Sequence, residues 1–231
     1  MRAVAVNGSP QVDRGNTAMV LAPFIEGMID GGYQVELFYP SRLEITPCNC
    51  GKMYCWYRRP GECPLNDDMQ TLYPRMRESD ALILATPVYV PLPGRMQDVL
   101  NRLMPLIEPL LQTRAGRTRV RFREDVQLRK IALVSTGGWW ERGNFDTVVH
   151  IVEEFAETVG VQFAGAVLRP HAHFLRSGGA LTAEGEDVLE GVRTAGRELA
   201  AKGVIDGETL ERISRPLIGQ DELRRLYNDL L

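Results

Sequence analysis

The 231-residue chain lacks both common nucleotide-binding signatures. Without GxxxxGK(S/T) no lysine is placed to grip a triphosphate, and without GxGxxG the usual dinucleotide pyrophosphate turn is missing. Histidine is scarce, with only His150, His171 and His173, and no Ser-His-Asp arrangement can be assembled from them. His150 falls in a helical stretch and reads as structural. His171-Ala172-His173 has the spacing of a metal-binding pair but no carboxylate nearby in sequence. Long apolar runs are missing too: the longest uncharged stretch, Ala81 to Gly94, is too short and too rich in proline to span a bilayer. The N-terminus has no apolar signal-peptide core, which leaves a cytoplasmic location as the expectation. Neither sign of charge dominates, since the net charge is −3, so nothing draws the chain to nucleic acid or to a membrane surface.

What is present is typical of a globular protein, with 44% hydrophobic and 25% charged residues. The length favours one domain over two. The most informative stretch comes first. An apolar strand, Ala3-Val4-Ala5-Val6, runs into Asn7-Gly8-Ser9-Pro10 and then Gly15-Asn16-Thr17, where an amphipathic segment starts. A helix beginning directly after such a loop turns its unpaired N–H groups and positive dipole end toward it. The loop is rich in hydroxyl and amide donors, and Arg14 is its only charged donor. It therefore suits a single phosphomonoester, such as that of FMN, better than a polyphosphate. An ordinary strand-to-helix turn capped by Asn16 or Thr17 would use the same residues.

Runs of strand length recur at Arg2 to Val6, Gln34 to Phe38, Ala81 to Thr86, Ile131 to Ser135 and Val161 to Leu168. Helical patterns lie between them, at Asn16 to Asp30, Asp67 to Glu78, Gly94 to Pro105, Asn144 to Gly160 and Thr182 to Lys202. This alternation predicts an α/β fold, a doubly wound five-stranded parallel sheet with helices on both faces. Ligands of such sheets sit beyond the carboxyl ends of the strands. Three loops should meet there: Asn7 to Thr17, Pro87-Val88-Tyr89, and Thr136-Gly137-Gly138-Trp139-Trp140. Pro109 to Lys130 breaks the pattern. Its six arginines and one lysine face only Glu124 and Asp125, which reads as a positive surface loop, an oligomer contact, or a site for the phosphates of a pyridine nucleotide. Gly203 to Leu231 reads as two short helices packing on the body or on a partner.

All four cysteines fall between Cys48 and Cys63, at Cys48, Cys50, Cys55 and Cys63. In a cytoplasmic protein so tight a group points to metal or redox chemistry rather than to disulfides. Four thiolates match the needs of a 4Fe–4S cluster or a structural zinc. The gaps of one, four and seven residues contain no Cys-x2-Cys unit, so free thiols that shape or react near a cofactor are the third reading.

Taken in order, Asn7-Gly8-Ser9-Pro10 with Gly15-Asn16-Thr17, the cysteine loop followed by Asp67-Asp68-Met69, Thr86-Pro87-Val88-Tyr89, and Ser135-Thr136-Gly137-Gly138 resemble the NADPH-dependent FMN reductase and iron-sulfur flavoprotein family. The resemblance spans roughly residues 1 to 170 and implies a flavodoxin-like fold. It also implies FMN at the strand ends, NAD(P)H as electron donor, and a homodimer or homotetramer whose neighbouring subunit completes the flavin pocket. Ser9, Asn16 and Thr17 would hold the FMN phosphate, with Pro10 shaping the turn. Pro87, Val88 and Tyr89 would line the isoalloxazine through backbone contacts, and Thr136, Gly137 and Gly138 would border its other side. Trp139 and Trp140 would stack on the ring or cover it. Read from their own position after the fifth strand, His171 and His173 are expected near the flavin or a subunit boundary rather than on a metal. The domain expectation is a flavodoxin-like FMN-binding unit over 1–202, holding the cysteine loop 46–66 and an insertion at 106–130, followed by a helical extension at 203–231. Iron-sulfur members of the family carry Cys-x2-Cys-x2-Cys and a fourth cysteine. Here Cys55 and Cys63 sit where the last two ligands belong, while Cys48 and Cys50 are displaced.

The function implied is an FMN oxidoreductase that passes electrons from NAD(P)H or another donor to a small-molecule or protein acceptor, with the flavin carrying the chemistry and no protein catalytic residue required. A flavodoxin-like electron carrier without a substrate of its own, or a flavin and thiol redox sensor, would share these motifs.

Overall fold

A computed structural model describes residues 1–229. Five strands, β1 (Arg2–Asn7), β2 (Gln34–Phe38), β3 (Ala81–Pro87), β6 (Lys130–Thr136) and β7 (Gln162–Arg169), form one parallel sheet in the order β2-β1-β3-β6-β7. That is the flavodoxin-like arrangement. Register brings the carboxyl ends to one edge: Asn7 lies opposite Ala85, Pro87 opposite Thr136, and Thr136 opposite Arg169. β1, β3 and β6 are buried nearly throughout, as strands covered on both faces must be.

Helices α1 (Asn16–Asp30) and α6 (Ala183–Lys202) cover one face, burying Val20, Leu21, Phe24, Met28, Val188, Val192 and Leu199 against Ala3, Ala5, Ile83 and Val134. The other face is covered by α3 (Met69–Arg77), α4 (Gly94–Asn101) and α5 (Asp146–Val159), whose Leu72, Met96 and Val152 meet Val4, Val6, Leu82 and Leu133. α1 and α6 touch backbone to backbone. A Cβ on Gly27 would stand 2.0 Å from the Arg193 carbonyl oxygen, and one on Gly196 2.1 Å from that of Phe24. Among the described residues no helix is long and apolar enough to cross a membrane.

The structure differs from the sequence reading in several places. The helix expected to reach Pro105 ends at Asn101, and a single 3-10 turn, Met104–Leu106, replaces its last part, because Pro105 has no N–H to continue it. The positive surface loop is a β-hairpin of β4 (Ile107–Arg114) and β5 (Arg117–Phe122) packed on α5. Three of its arginines are paired there: Arg117 and Arg119 with Glu154 and Glu157, and Arg121 with Glu108 at 2.5 Å. Glu154 and Glu157 lie over thirty residues further along, so the local count of charges missed them. Two smaller elements, α2 (Tyr54–Tyr57) in the cysteine loop and the hairpin of β8 (Arg176–Ser177) and β9 (Ala180–Leu181), were not expected. The two short C-terminal helices are α7 (Gly207–Ser214) and α8 (Gln220–Asn228); residues 230–231 of that extension lie outside the described residues.

Candidate functional site

The loop after β1 is held from below by Asn7, which is fully buried. Its side-chain oxygen accepts from the Ser9 N–H at 3.0 Å and its amide donates to the Val12 carbonyl at 3.0 Å. Val12 itself takes a φ of 55°, a left-handed conformation that costs a β-branched residue strain and is characteristic of functional loops. The N-cap of α1 is Gly15, with no side chain bonded to the helix end, so neither Asn16 nor Thr17 caps it. Among the described residues the N–H groups of Gly15, Asn16, Thr17 and Ala18 have no hydrogen-bond partner. Thr17 instead shares a buried hydroxyl–hydroxyl bond of 2.8 Å with Thr136, which ties this loop to the one after β6. Arg14 has no carboxylate partner among the described residues, and Asp13 is neutralised by Arg42 at 2.6 Å. A cavity of about 430 Å³ opens at this helix end, lined by Arg14, Gly15, Asn16 and also Arg176. Sequence reasoning missed Arg176, which reaches the loop only because the β8–β9 hairpin returns there.

Beyond Pro10 a cleft of about 720 Å³ runs between Gly8, Tyr89, Val90, Leu92 and Trp139. An adjoining cavity of about 340 Å³ is lined by Val88, Tyr89, Gly137, Gly138, Trp139, Phe145 and Tyr227. The expected loops therefore do converge. The backbone contacts expected of Val88 and Tyr89 are narrower than supposed, because their N–H groups are already spent on the Thr136 and Pro91 carbonyls at 2.9 and 2.8 Å. The free donors are on the facing loop, where the N–H groups of Gly138 and Trp139 have no partner among the described residues. Trp139 is 67% exposed at the mouth. Trp140 turns away from the cleft and donates to the Ile218 carbonyl at 2.9 Å. Unpaired N–H groups for a phosphate, a cleft walled by flat side chains and free N–H groups along one edge form a donor set that fits FMN.

The cysteine loop leaves the sheet edge at Thr46 and returns at Asp67, and one buried ion pair clamps both ends. Arg102, 1% exposed, donates to both Asp67 carboxylate oxygens, at 2.6 and 3.0 Å, and to the Thr46 carbonyl at 2.6 Å. Asp67 also accepts from the Thr46 and Met69 N–H groups. Burial pushes the Asp67 carboxyl up, but these donors outweigh it and hold the group below the ordinary carboxylate range. Cys55 is buried and Cys48 exposed. Burial first, then the neighbouring thiols of Cys50, Cys63 and Cys48, push Cys55 up to about 11. Among the described residues no group of three or more His, Cys, Asp or Glu could hold a metal ion, which applies to His171 and His173 as well.

The two histidines serve the C-terminal extension. Arg169, fully buried with no carboxylate beside it, donates to the carbonyls of Pro170, Ile213 and Arg215 and to His171 Nε2 at 2.8 Å. The same Nε2 accepts the Leu217 N–H at 3.0 Å, which fixes the imidazole proton on Nδ1. Burial lowers Arg169 to about 10; burial, then Arg169 and His173, lowers His171 to about 4. The His171 N–H bonds the Trp139 carbonyl at 3.0 Å, and His173 packs edge-on against Tyr227. His150 lies exposed on α5.

Residues 1–173 match the NADPH-dependent FMN reductase family. An iron-sulfur flavoprotein of Methanocaldococcus jannaschii is 30% identical over 110 residues, 48% of this chain and 53% of that protein. One from Archaeoglobus fulgidus is 35% identical over 107 residues, 46% of each. The chain thus spans about half the length of these curated relatives. Among solved structures, an FMN-dependent NADH-azoreductase from Bacillus anthracis, in complex with FMN, superposes with a TM-score of 0.58 at 13% identity, covering 88% of this chain and 99% of that one. At such identity the likeness establishes the shared fold. With a match across three quarters of its length and the expected loops gathered at one sheet edge, the chain belongs to the NADPH-dependent FMN reductase family.

Proposed function

We propose that the protein draws electrons from NAD(P)H through FMN to a small-molecule acceptor. One NAD(P)H and one solvent proton supply the two electrons and two protons that the acceptor gains, leaving NAD(P)+. Bound FMN supplies the two-electron exchange; the chain binds, orients and stabilises it. Ser9, Asn16 and Thr17, with the unpaired N–H groups of Gly15 to Ala18, would hold the phosphate, assisted by Arg14 and Arg176. Pro10 shapes the turn. Pro87, Val88 and Tyr89 wall the ring on one side, with Thr136, Gly137 and Gly138 on the other. The free N–H groups of Gly138 and Trp139 would donate to the ring edge where negative charge gathers on reduction. The observation that carries the reading is two sets of unpaired donors, one at the start of α1 and one on the loop after β6, each beside a cavity at the strand-end edge.

Anaerobic stopped-flow mixing of the FMN-loaded protein with NADPH and with NADH is the test. Rapid bleaching of the flavin by either supports the reading. No bleaching by both would leave an electron carrier and overturn it.

The relatives favour one addition, a 4Fe–4S cluster on Cys48, Cys50, Cys55 and Cys63. What supports it is the name that the relatives bear, iron-sulfur flavoproteins; among the described residues the thiols are not gathered as a metal site. Anaerobically purified protein should carry about four irons per chain; iron-free, fully FMN-loaded protein would refute it. The rim of the cleft supports a homo-oligomer. Val90 is 98% exposed beside the exposed Tyr89 and Trp139, an apolar edge of the kind a second subunit covers.

A further inference from the structure

We propose that α8 forms the outer wall of the acceptor's site, that Tyr227 sets which acceptors fit, and that the site takes a neutral, flat aromatic compound. The proposal rests on the function above and adds the acceptor's chemical class. It also adds residues beyond the family match, which ends at residue 173.

Two cavities adjoin on either side of one phenol ring. The inner one, about 340 Å³, is bounded by the loops proposed to hold the flavin. The outer one, about 430 Å³, lies between Trp139, Trp140 and Glu141 on the body and Leu223, Arg224 and Tyr227 on α8. Trp139 and Tyr227 belong to both. α8 is seated against this loop by specific bonds. The Tyr227 hydroxyl donates to the Gly138 carbonyl at 3.3 Å, and the Gln220 amide to the Glu141 carboxylate at 2.6 Å. Gly138 leaves room for the phenol, since a Cβ there would lie 3.1 Å from its oxygen. Leu223 is the one buried residue of α8, so the wall is anchored near its middle, with Gln220 and Tyr227 bonded to the body on either side.

The chemistry of the lining selects the ligand. Aromatic faces come from Trp139, Trp140 and Tyr227, which favour a planar ring. Arg224 is the only cation in the lining, and Glu141 of the same lining balances it at 3.6 Å, with Asp221 at 3.1 Å. An anionic acceptor therefore finds no free positive charge here, in contrast to the Arg14 loop. A neutral quinone fits: it takes up two electrons and two protons, supplied by NAD(P)H and a solvent proton, and leaves as the equally flat hydroquinone.

The test uses full-length protein loaded with FMN and reduced anaerobically with dithionite, so that it does not depend on NAD(P)H. Reoxidation is followed with 2-methyl-1,4-naphthoquinone and, separately, with ferricyanide, an anion without a ring. In Tyr227→Ala the preference for the naphthoquinone over ferricyanide should fall about tenfold through weaker saturation, as expected for loss of a ring-on-ring contact. Tyr227→Trp, which fills the junction between the cavities, should cut naphthoquinone turnover more than ferricyanide turnover, and it carries the test if the alanine variant does not fold. Arg225→Ala, on the same helix but outside the lining, should keep the wild-type preference. An unchanged preference in both Tyr227 variants, or an equal fall in Arg225→Ala, would overturn the proposal. Failure of NAD(P)H to bleach the flavin would instead refute the donor reading, while the dithionite experiment still decides the acceptor site.

Discussion

Replacing Asp67 by alanine strips the counter-charge from a guanidinium that is 1% exposed. Arg102 would keep its bond to the Thr46 carbonyl, but two charge-assisted bonds vanish, and the Thr46 and Met69 N–H groups lose their acceptor. Arg102 Nε is already buried without a partner, so little remains to compensate the cation. Breaking one side of such a pair costs about 3–5 kcal/mol. With a urea dependence of about 2 kcal/mol per molar, the unfolding midpoint should fall by roughly 1.5–2.5 M. The clamp also closes the cysteine loop, so the variant should expose Cys55. In iron-free protein its reaction with a thiol reagent, slow in the wild type because the thiol is buried, should become fast at neutral pH before global unfolding. Replacing both partners, Asp67→Asn with Arg102→Met, should recover a substantial part of the loss, because no orphan charge remains. A loss under about 1 kcal/mol for Asp67→Ala, with Cys55 still protected, would refute the clamp.

Three further outcomes follow from the same geometry. Asn7→Ala removes both bonds that shape the phosphate loop and should weaken FMN binding about tenfold or more, read by quenching of flavin fluorescence, with a modest effect on stability. Gly27→Ala forces α1 off the Arg193 carbonyl and should cost about 1–3 kcal/mol, lowering the melting temperature by several degrees in a chain of this size. His171 gives a pH dependence: the unfolded imidazole titrates near 6.5 and the folded one near 4. Between those values the unfolded chain binds the extra proton, so this contribution is complete above pH 6.5 and declines as the pH falls to 4, by at most about 3 kcal/mol. The stability gap between wild type and His171→Gln should accordingly narrow between pH 7 and pH 4.5 in urea titrations.

The parallel strands and the opening loop were legible because their signals are local. Unbroken apolar runs such as Ala81 to Thr86 and a small-residue turn before a helix depend on near neighbours in the chain. The loops after β3 and β6 could be placed at the same edge because strand topology, rather than side-chain detail, puts them there. What stayed hidden depends on distant partners. The hairpin arginines looked like a free positive patch until Glu154 and Glu157 came beside them. The bonds that Trp140 and His171 make to the segment around Leu217 and Ile218 were not legible, since that segment lies far along the chain. Arg176 and Tyr227 carry no motif at all and reach the site only through a two-residue hairpin and a terminal helix. Asn7 was visible as part of the loop, but its role as a two-sided brace needs the geometry of Val12, whose left-handed backbone no sequence pattern announces.

The most direct measurement compares FMN with riboflavin by titration calorimetry on the same flavin-free protein. The two ligands share the ring and differ by one phosphate, which is what the unpaired N–H groups of Gly15 to Ala18, together with Arg14, are proposed to receive. The account predicts that FMN binds at least about a hundredfold more tightly, the worth of two or more charge-assisted hydrogen bonds. It further predicts that Arg14→Ala narrows the difference. Equal affinity for riboflavin and FMN, or no binding of either, would contradict it.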